Sequence, residues 1–166
     1  NTSVKLDTKK MAIKASGIAL KDMSAERGFS VVDYQKVNKY HCSPDSSEDR
    51  YSESITNFAI DSSAKPSIET GFHALLGEYV IHSHSVFLNV LLCAKEGKDL
   101  ILEHFPESIW VDYFTPGKDL TLAIKNSLKG REDSFEGLIF LESHGIIVSA
   151  TTYQKCLEIH DECNST

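Results

Sequence analysis

Two apolar segments that carry histidine constrain this chain more than anything else in it. The first, Glu78-Tyr-Val-Ile-His-Ser-His84, reads as a buried strand. Side chains two apart on a strand share a face, so His82 and His84 point the same way. The second, Gly137-Leu-Ile-Phe-Leu-Glu-Ser-His-Gly-Ile-Ile-Val148, reads as an apolar strand broken at His144-Gly145. Gly145 allows close backbone approach beside that histidine. Three histidines with an open position make a pattern suited to a catalytic divalent metal. Glu69 adds a carboxylate that can serve as a fourth ligand or as a base. A lone histidine on an apolar strand is more often structural, and Glu69 alone would read as a solvated charge. The combination points to metal-assisted chemistry on a small oxygenated substrate.

The remaining chain is organised around these segments. Short strands are expected at Ser3–Asp7, Met11–Ala15, Phe29–Tyr34 and Ile55–Ile60, with a polar, turn-rich loop at Cys42–Arg50. A helix is expected over Ile68–Leu76, with Ser67 as its N-cap and Gly77 ending it. Glu69 then lies on its first turn, where a carboxylate also suits the helix dipole. His73, one turn later, shares the face of Glu69 and reads either as a core-edge histidine or as a group that orients that carboxylate from behind. Ser85 can cap a helix over Val86–Lys95 that stops at Gly97. A strand at Ile109–Phe114 and a turn at Thr115–Gly117 precede a helix whose apolar residues 120, 124 and 128 fall on one face. Thr151 or Thr152 opens a last helix. Helices and strands interleave, which indicates a layered α/β or α+β architecture.

At 166 residues the chain fits one domain with a substantial core. A net charge of -7 without any basic block argues against a nucleic-acid partner. No apolar run approaches the roughly 20 residues of a membrane span. Cys42, Cys93, Cys156 and Cys163 form no CxxC pair and read as reduced thiols, consistent with a cytoplasmic protein. His41, His104 and His160 have no partner at readable spacing and read as surface residues.

The order of motifs resembles the class II aldolase/adducin family: Lys65-Pro-Ser-Ile-Glu-Thr-Gly-Phe-His73, then Val80-Ile-His-Ser-His-Ser85, Tyr113-Phe-Thr-Pro-Gly117 and Ser143-His-Gly145. The resemblance runs from the first residues to about residue 160. It implies a central, mainly antiparallel sheet flanked by helices. It also implies zinc, or another divalent cation such as manganese or cobalt, held by His82, His84 and His144. Glu69 inherits the acid/base role, for which a pKa raised by burial is wanted. The implied reaction is cleavage or formation of a carbon-carbon bond in a ketose or ketose phosphate through an enediolate. Decarboxylase, dehydratase and epimerase chemistry, or a non-catalytic adducin-like module, are the alternatives. Asn1, Ser16, Gly17 and Ser67 match the family's phosphate pocket, whereas Ile68 stands where a second serine is typical, and Ser143 where asparagine is usual. Against larger members, residues 1–166 are expected to form a single domain lacking an N-terminal helix and a C-terminal tail. A sugar or sugar phosphate is the implied small-molecule partner, and a homo-oligomer the implied assembly.

Overall fold

The computed structural model describes residues 1–43, 50–61 and 64–165. Seven strands, β1 (Thr2–Lys5), β2 (Lys10–Lys14), β3 (Phe29–Asp33), β4 (Tyr79–Ser83), β5 (Ile109–Val111), β6 (Gly137–Leu141) and β7 (Gly145–Ala150), form one sheet in the order β3-β2-β1-β4-β7-β6-β5. Every neighbouring pair is antiparallel except β5 with β6. The fold is therefore α/β with a mainly antiparallel central sheet.

Among the described residues seven α-helices complete it: α1 (Tyr34–His41), α2 (Tyr51–Asn57), α3 (Thr70–Leu75), α4 (Val86–Leu92), α5 (Gly97–His104), α6 (Lys118–Leu128) and α7 (Tyr153–Ser165). Alternate residues of β6 and β7 divide between two cores. Ile139, Leu141 and Ile147 pack with Phe72 of α3 and with Leu120, Ile124 and Leu128 of α6. Leu138, Phe140, Ile146 and Val148 face the other way, against Leu88 and Leu92 of α4, Ile101 of α5 and Cys156 of α7. With both faces covered, every residue of β7 is buried, which explains the apolar run Gly145–Val148. A third cluster joins Met11, Ile13 and Val32 of the sheet to Val37, Tyr51 and Ile55 on α1 and α2.

Several local expectations are corrected. Ile55–Ile60 is not a strand: residues 51–57 are helical, because Tyr51 and Ile55, one turn apart, are both buried on one face. Only the segment just after it touches the sheet, through Ile60 N–H to the Val31 carbonyl (2.7 Å) and an isolated bridge at Ala59. Helix α1 is not anticipated either. The Asp33 carboxylate accepts the Lys36 N–H at 3.1 Å and starts it where the strand was expected to continue. The helix expected at Ile68 begins at Thr70, with Glu69 at its N-cap position and Ser67 O and Oγ bonding into the turn before it. The helix expected to reach Lys95 ends at Leu92, and α5 starts separately at Gly97. Of the loop expected at Cys42–Arg50, residues 44–49 lie outside the described residues.

His41 is a core residue rather than a surface one. It is 4% exposed, donates from Nδ1 to the Val37 carbonyl (2.8 Å), and its Nε2 pairs with the Tyr51 hydroxyl (3.0 Å). His160 is likewise tied in, with Nε2 2.9 Å from the Ser83 hydroxyl, so α7 is pinned to β4. Cys156 and Cys163 are buried, and burial pushes both thiols up to about 11; Cys42 and Cys93 are exposed. No helix among the described residues is long and apolar enough to cross a membrane.

Candidate metal and catalytic site

The sheet delivers the site from adjacent strands. Strand β4 ends at Ser83, so His82 is the last inward residue and His84 follows immediately. Strands β6 and β7 are joined by the three residues 142–144, with Ser143 in the left-handed region at φ 53°, and this tight turn carries His144. Because β4 pairs with β7 in a register that sets His82 opposite Ile147, the two histidine segments meet side by side. Their approach depends on Gly145. A β-carbon there would lie 2.5 Å from the Ser83 carbonyl oxygen and 2.8 Å from the His84 ring.

The three imidazole rings converge, each centroid 4.9 Å from the other two. Glu69, from the turn before α3, completes the group. Its Oε1 lies 3.1 Å from His82 Nε2 and 3.4 Å from His144 Nε2, and His84 Nε2 is 3.0 Å from His82 Nε2. The four potential ligand atoms all lie within 4.8 Å of one another. His82 donates Nδ1–H to the Ile146 carbonyl at 2.8 Å, which fixes its tautomer and turns the Nε2 lone pair toward the centre. Burial first, then the neighbouring imidazoles, push His84 below the usual histidine range and favour a neutral ring.

These contacts bear on whether a cation fits. Neutral imidazoles whose Nε2 lone pairs face one another and a carboxylate oxygen repel, and a buried set of this kind needs protons or a cation at its centre. Three nitrogen ligands and one oxygen ligand suit zinc and similar first-row ions. The donor set, its second-sphere anchor at Ile146 and the tight cradle at Gly145 all fit a divalent cation.

The acid/base role wants a raised pKa at Glu69, and burial favours its neutral form. With His82 and His144 protonated and no cation between them, those rings and the Asn1 amide outweigh burial and hold the carboxyl well below the usual range. Asn1 Nδ2 donates to Glu69 Oε2 (3.1 Å) and to Ser67 Oγ (2.7 Å), so it orients the carboxylate as well as lining the pocket. His73 is fully buried, and burial pushes it well below the histidine range. Its Nδ1 pairs with the Ser3 hydroxyl at 2.8 Å and its ring stacks on Phe72, which in turn touches the His82 ring edge-on. Its hydrogen bond thus goes to β1 and not to Glu69.

A cavity of about 260 Å³ opens beside the cluster. Glu69, His82 and His84 line one end, and Ser16, Gly17 and Ser67 line the other, with Asn1 between. Larger concavities near α2 and α1, of about 690 and 720 Å³, bring together no comparable set of ligands among the described residues. Ile68, 44% exposed, is not among the residues that line the site cavity. Sequence reasoning did not find the Ile146 carbonyl anchor or the action of Asn1 on Glu69. Both arise from strand register and chain crossing, for which sequence carries no local signal.

Residues 1–165 match the family of the class II aldolase and adducin N-terminal domain. The chain belongs to this family. Solved structures with the same fold include the N-terminal class II aldolase domain of a conserved protein from Thermoplasma acidophilum, at 22% identity and a TM-score of 0.83 over 99% of this chain and 79% of that one. An L-fuculose 1-phosphate aldolase matches at 18% identity and a TM-score of 0.67, over 99% and 70% of the two chains. A sugar-phosphate aldolase from Thermotoga maritima matches at 12% identity and a TM-score of 0.65, over 99% and 80%. No curated protein matches in sequence. Class II aldolases use divalent metals, and this family member has a His/Glu cluster able to hold one.

Proposed function

We propose that this family member is a divalent-metal-dependent aldehyde-lyase that cleaves or forms a carbon-carbon bond in a ketose or ketose phosphate. The observation that carries the reading is the convergence of His82, His84 and His144 on a single carboxylate, Glu69, at the mouth of a cavity. His82, His84 and His144 would hold the cation, with zinc favoured by the nitrogen-rich set and manganese or cobalt as substitutes. When bound, the ion supplies Lewis-acid polarisation of the substrate carbonyl.

Glu69 moves the proton. In the cleavage direction the bond between the carbons α and β to the carbonyl breaks, the β-hydroxyl loses its proton to solvent as it becomes the aldehyde, the electron pair passes to the α-carbon of the ketone half, and the carboxyl of Glu69 gives a proton to that α-carbon. In the synthetic direction the carboxylate takes the same proton away. It can do so only when His82 and His144 direct their Nε2 lone pairs at a cation instead of donating to it. Asn1 then remains to orient Oε2. His73 is a positioning residue, setting Phe72 against the His82 ring. At the other end of the cavity Ser16, Gly17, Ser67 and Asn1 receive the phosphate or other polar terminus. The exposed apolar face of α4, where Val86, Phe87 and Val90 are 77%, 81% and 68% exposed just beyond His84, supports a homo-oligomer. Light scattering at two protein concentrations checks it.

Glu69 and three histidines serve decarboxylase and dehydratase chemistry equally well. The deciding experiment is a product assay on ketoses, ketose phosphates and sugar-acid phosphates with zinc, manganese or cobalt added. Aldehyde release from a ketose or ketose phosphate supports the lyase reading. Carbon dioxide release, dehydration or stereochemical inversion without cleavage overturns it.

A further inference from the structure

One basic side chain, that of Lys14, lines the site cavity, and the proposed reaction gives it no role. Lys14, the last residue of β2, is half-buried. Its ammonium donates to the carbonyls of Ala15 (2.9 Å) and Ile18 (2.6 Å), which stand on either side of Ser16-Gly17. An ammonium has three donors, so one is left over. Among the described residues no carboxylate forms an ion pair with it. A half-buried cation without an acidic partner, facing a cavity, is an incomplete pair.

Its surroundings are those of an anion site. The turn after Lys14 is joined to the Pro66-Ser67 segment by Ser16 N–H to the Lys65 carbonyl (2.8 Å) and a bridge between Ala15 and Pro66. This brings the backbone that follows Lys14 beside Ser67, and both residues line the cavity. Ser67 Oγ already accepts from Asn1 Nδ2 at 2.7 Å and from Glu69 N–H at 3.2 Å. Both lone pairs are engaged, so its hydroxyl hydrogen is the part left to bond a ligand. Gly17, at φ 77°, has nothing within 4 Å of where a β-carbon would sit, which leaves backbone open to an incoming group.

We propose that Lys14 is a specificity-determining residue that binds the anionic end of the substrate, a phosphate or carboxylate, with a charge-assisted hydrogen bond. A point-charge ammonium beside hydroxyl and backbone donors suits such a group. The inference rests on the reading of this cavity as the substrate site.

Three hydroxamates test it on the zinc-loaded protein: those of phosphoglycolate, malonate and glycolate. They share a metal-chelating head and differ at the far end, which is phosphate, carboxylate or neutral hydroxyl. At least one anionic compound is expected to bind roughly tenfold or more tighter than glycolohydroxamate. Lys14→Met should erase that advantage and leave glycolohydroxamate affinity unchanged, while Lys14→Arg keeps most of it. The tighter anionic compound tells phosphate from carboxylate. An advantage that survives in Lys14→Met, or is absent in the wild type, overturns the assignment. If none of the three binds, the metal-site reading has failed, and inorganic phosphate titrated against the chelator-treated protein decides Lys14 alone. Binding that Lys14→Met weakens supports the site; equal or absent binding overturns it. Should Lys14→Met lose its thermal transition, Lys14→Gln keeps an amide donor for the carbonyls and takes its place.

Discussion

At one end of the cavity, His82 lies on β4 and His84 just beyond it, the β6–β7 turn brings His144 beside them through the register of β4 with β7, and His82 is further locked by the Ile146 carbonyl. At the other end, Ser16 and Gly17 sit on an exposed turn held to the neighbouring segment by one backbone bond and one bridge. The first end has its atoms placed by the sheet, and a change there disturbs the core. The second has its atoms placed by a turn at the surface, and a change there mostly alters what is recognised. A scaffold divided in this way can keep its chemistry while its substrate changes.

The sharpest test of the rigid end is metal content. The purified chain is expected to carry about one divalent ion, with thermal stability lost on chelation and regained with added zinc. His84→Ala should lose most of that affinity, since two imidazoles and a carboxylate form a much weaker site. Elemental analysis reads the outcome, and full occupancy in the variant would remove His84 from the ligand set.

Glu69→Gln separates proton transfer from binding. The amide is nearly isosteric and cannot act as a base. Solvent deuterium exchange into dihydroxyacetone phosphate should fall by about 100-fold or more, with metal content unchanged. An unchanged exchange rate would show that another group moves the proton.

Gly145→Ala tests whether strand approach builds the site. The added methyl meets the Ser83 carbonyl and the His84 ring, so β7 must shift from β4. Overpacking of this kind costs about 1–3 kcal/mol. Both the melting temperature and zinc affinity should fall. A variant as stable as the wild type with normal zinc binding would mean that the hairpin yields at little cost.

The smallest effect belongs to the adaptable end. Ile68→Ser offers one more hydroxyl near Ser67. It should tighten phosphate-bearing inhibitors by about 1 kcal/mol if that hydroxyl reaches the pocket. Ile68 is exposed and does not line the cavity in the present structure, so no change in affinity would show that the pocket ends at Ser67 and Lys14.

Much of the fold was legible because it rests on local periodicity. Leu120, Ile124 and Leu128 mark α6 by spacing alone, and the apolar runs around His82 and His144 mark strands. The helix α2 was not legible because Ile55–Ile60 is too short to distinguish the two periods, and Tyr51, which settles it, lies outside that window. His41 and His160 looked alone because their partners, Tyr51 and Ser83, are remote in sequence or on another layer. The surroundings of the Glu69 carboxyl were hidden for a related reason: His82, His144 and Asn1, which meet it, come from three other segments.

The sequence by itself determined which groups could do chemistry and which faces had to be buried. Side-chain identity and the two- and 3.6-residue periods are properties of the chain. Tertiary structure alone decided that four of those groups meet within 4.8 Å, that Asn1 holds Glu69, and that Lys14 faces the same cavity. These depend on β1 lying between β2 and β4, and on the register of β4 with β7. Pairing between distant strands is set by the packing of the whole core, and no local pattern encodes it.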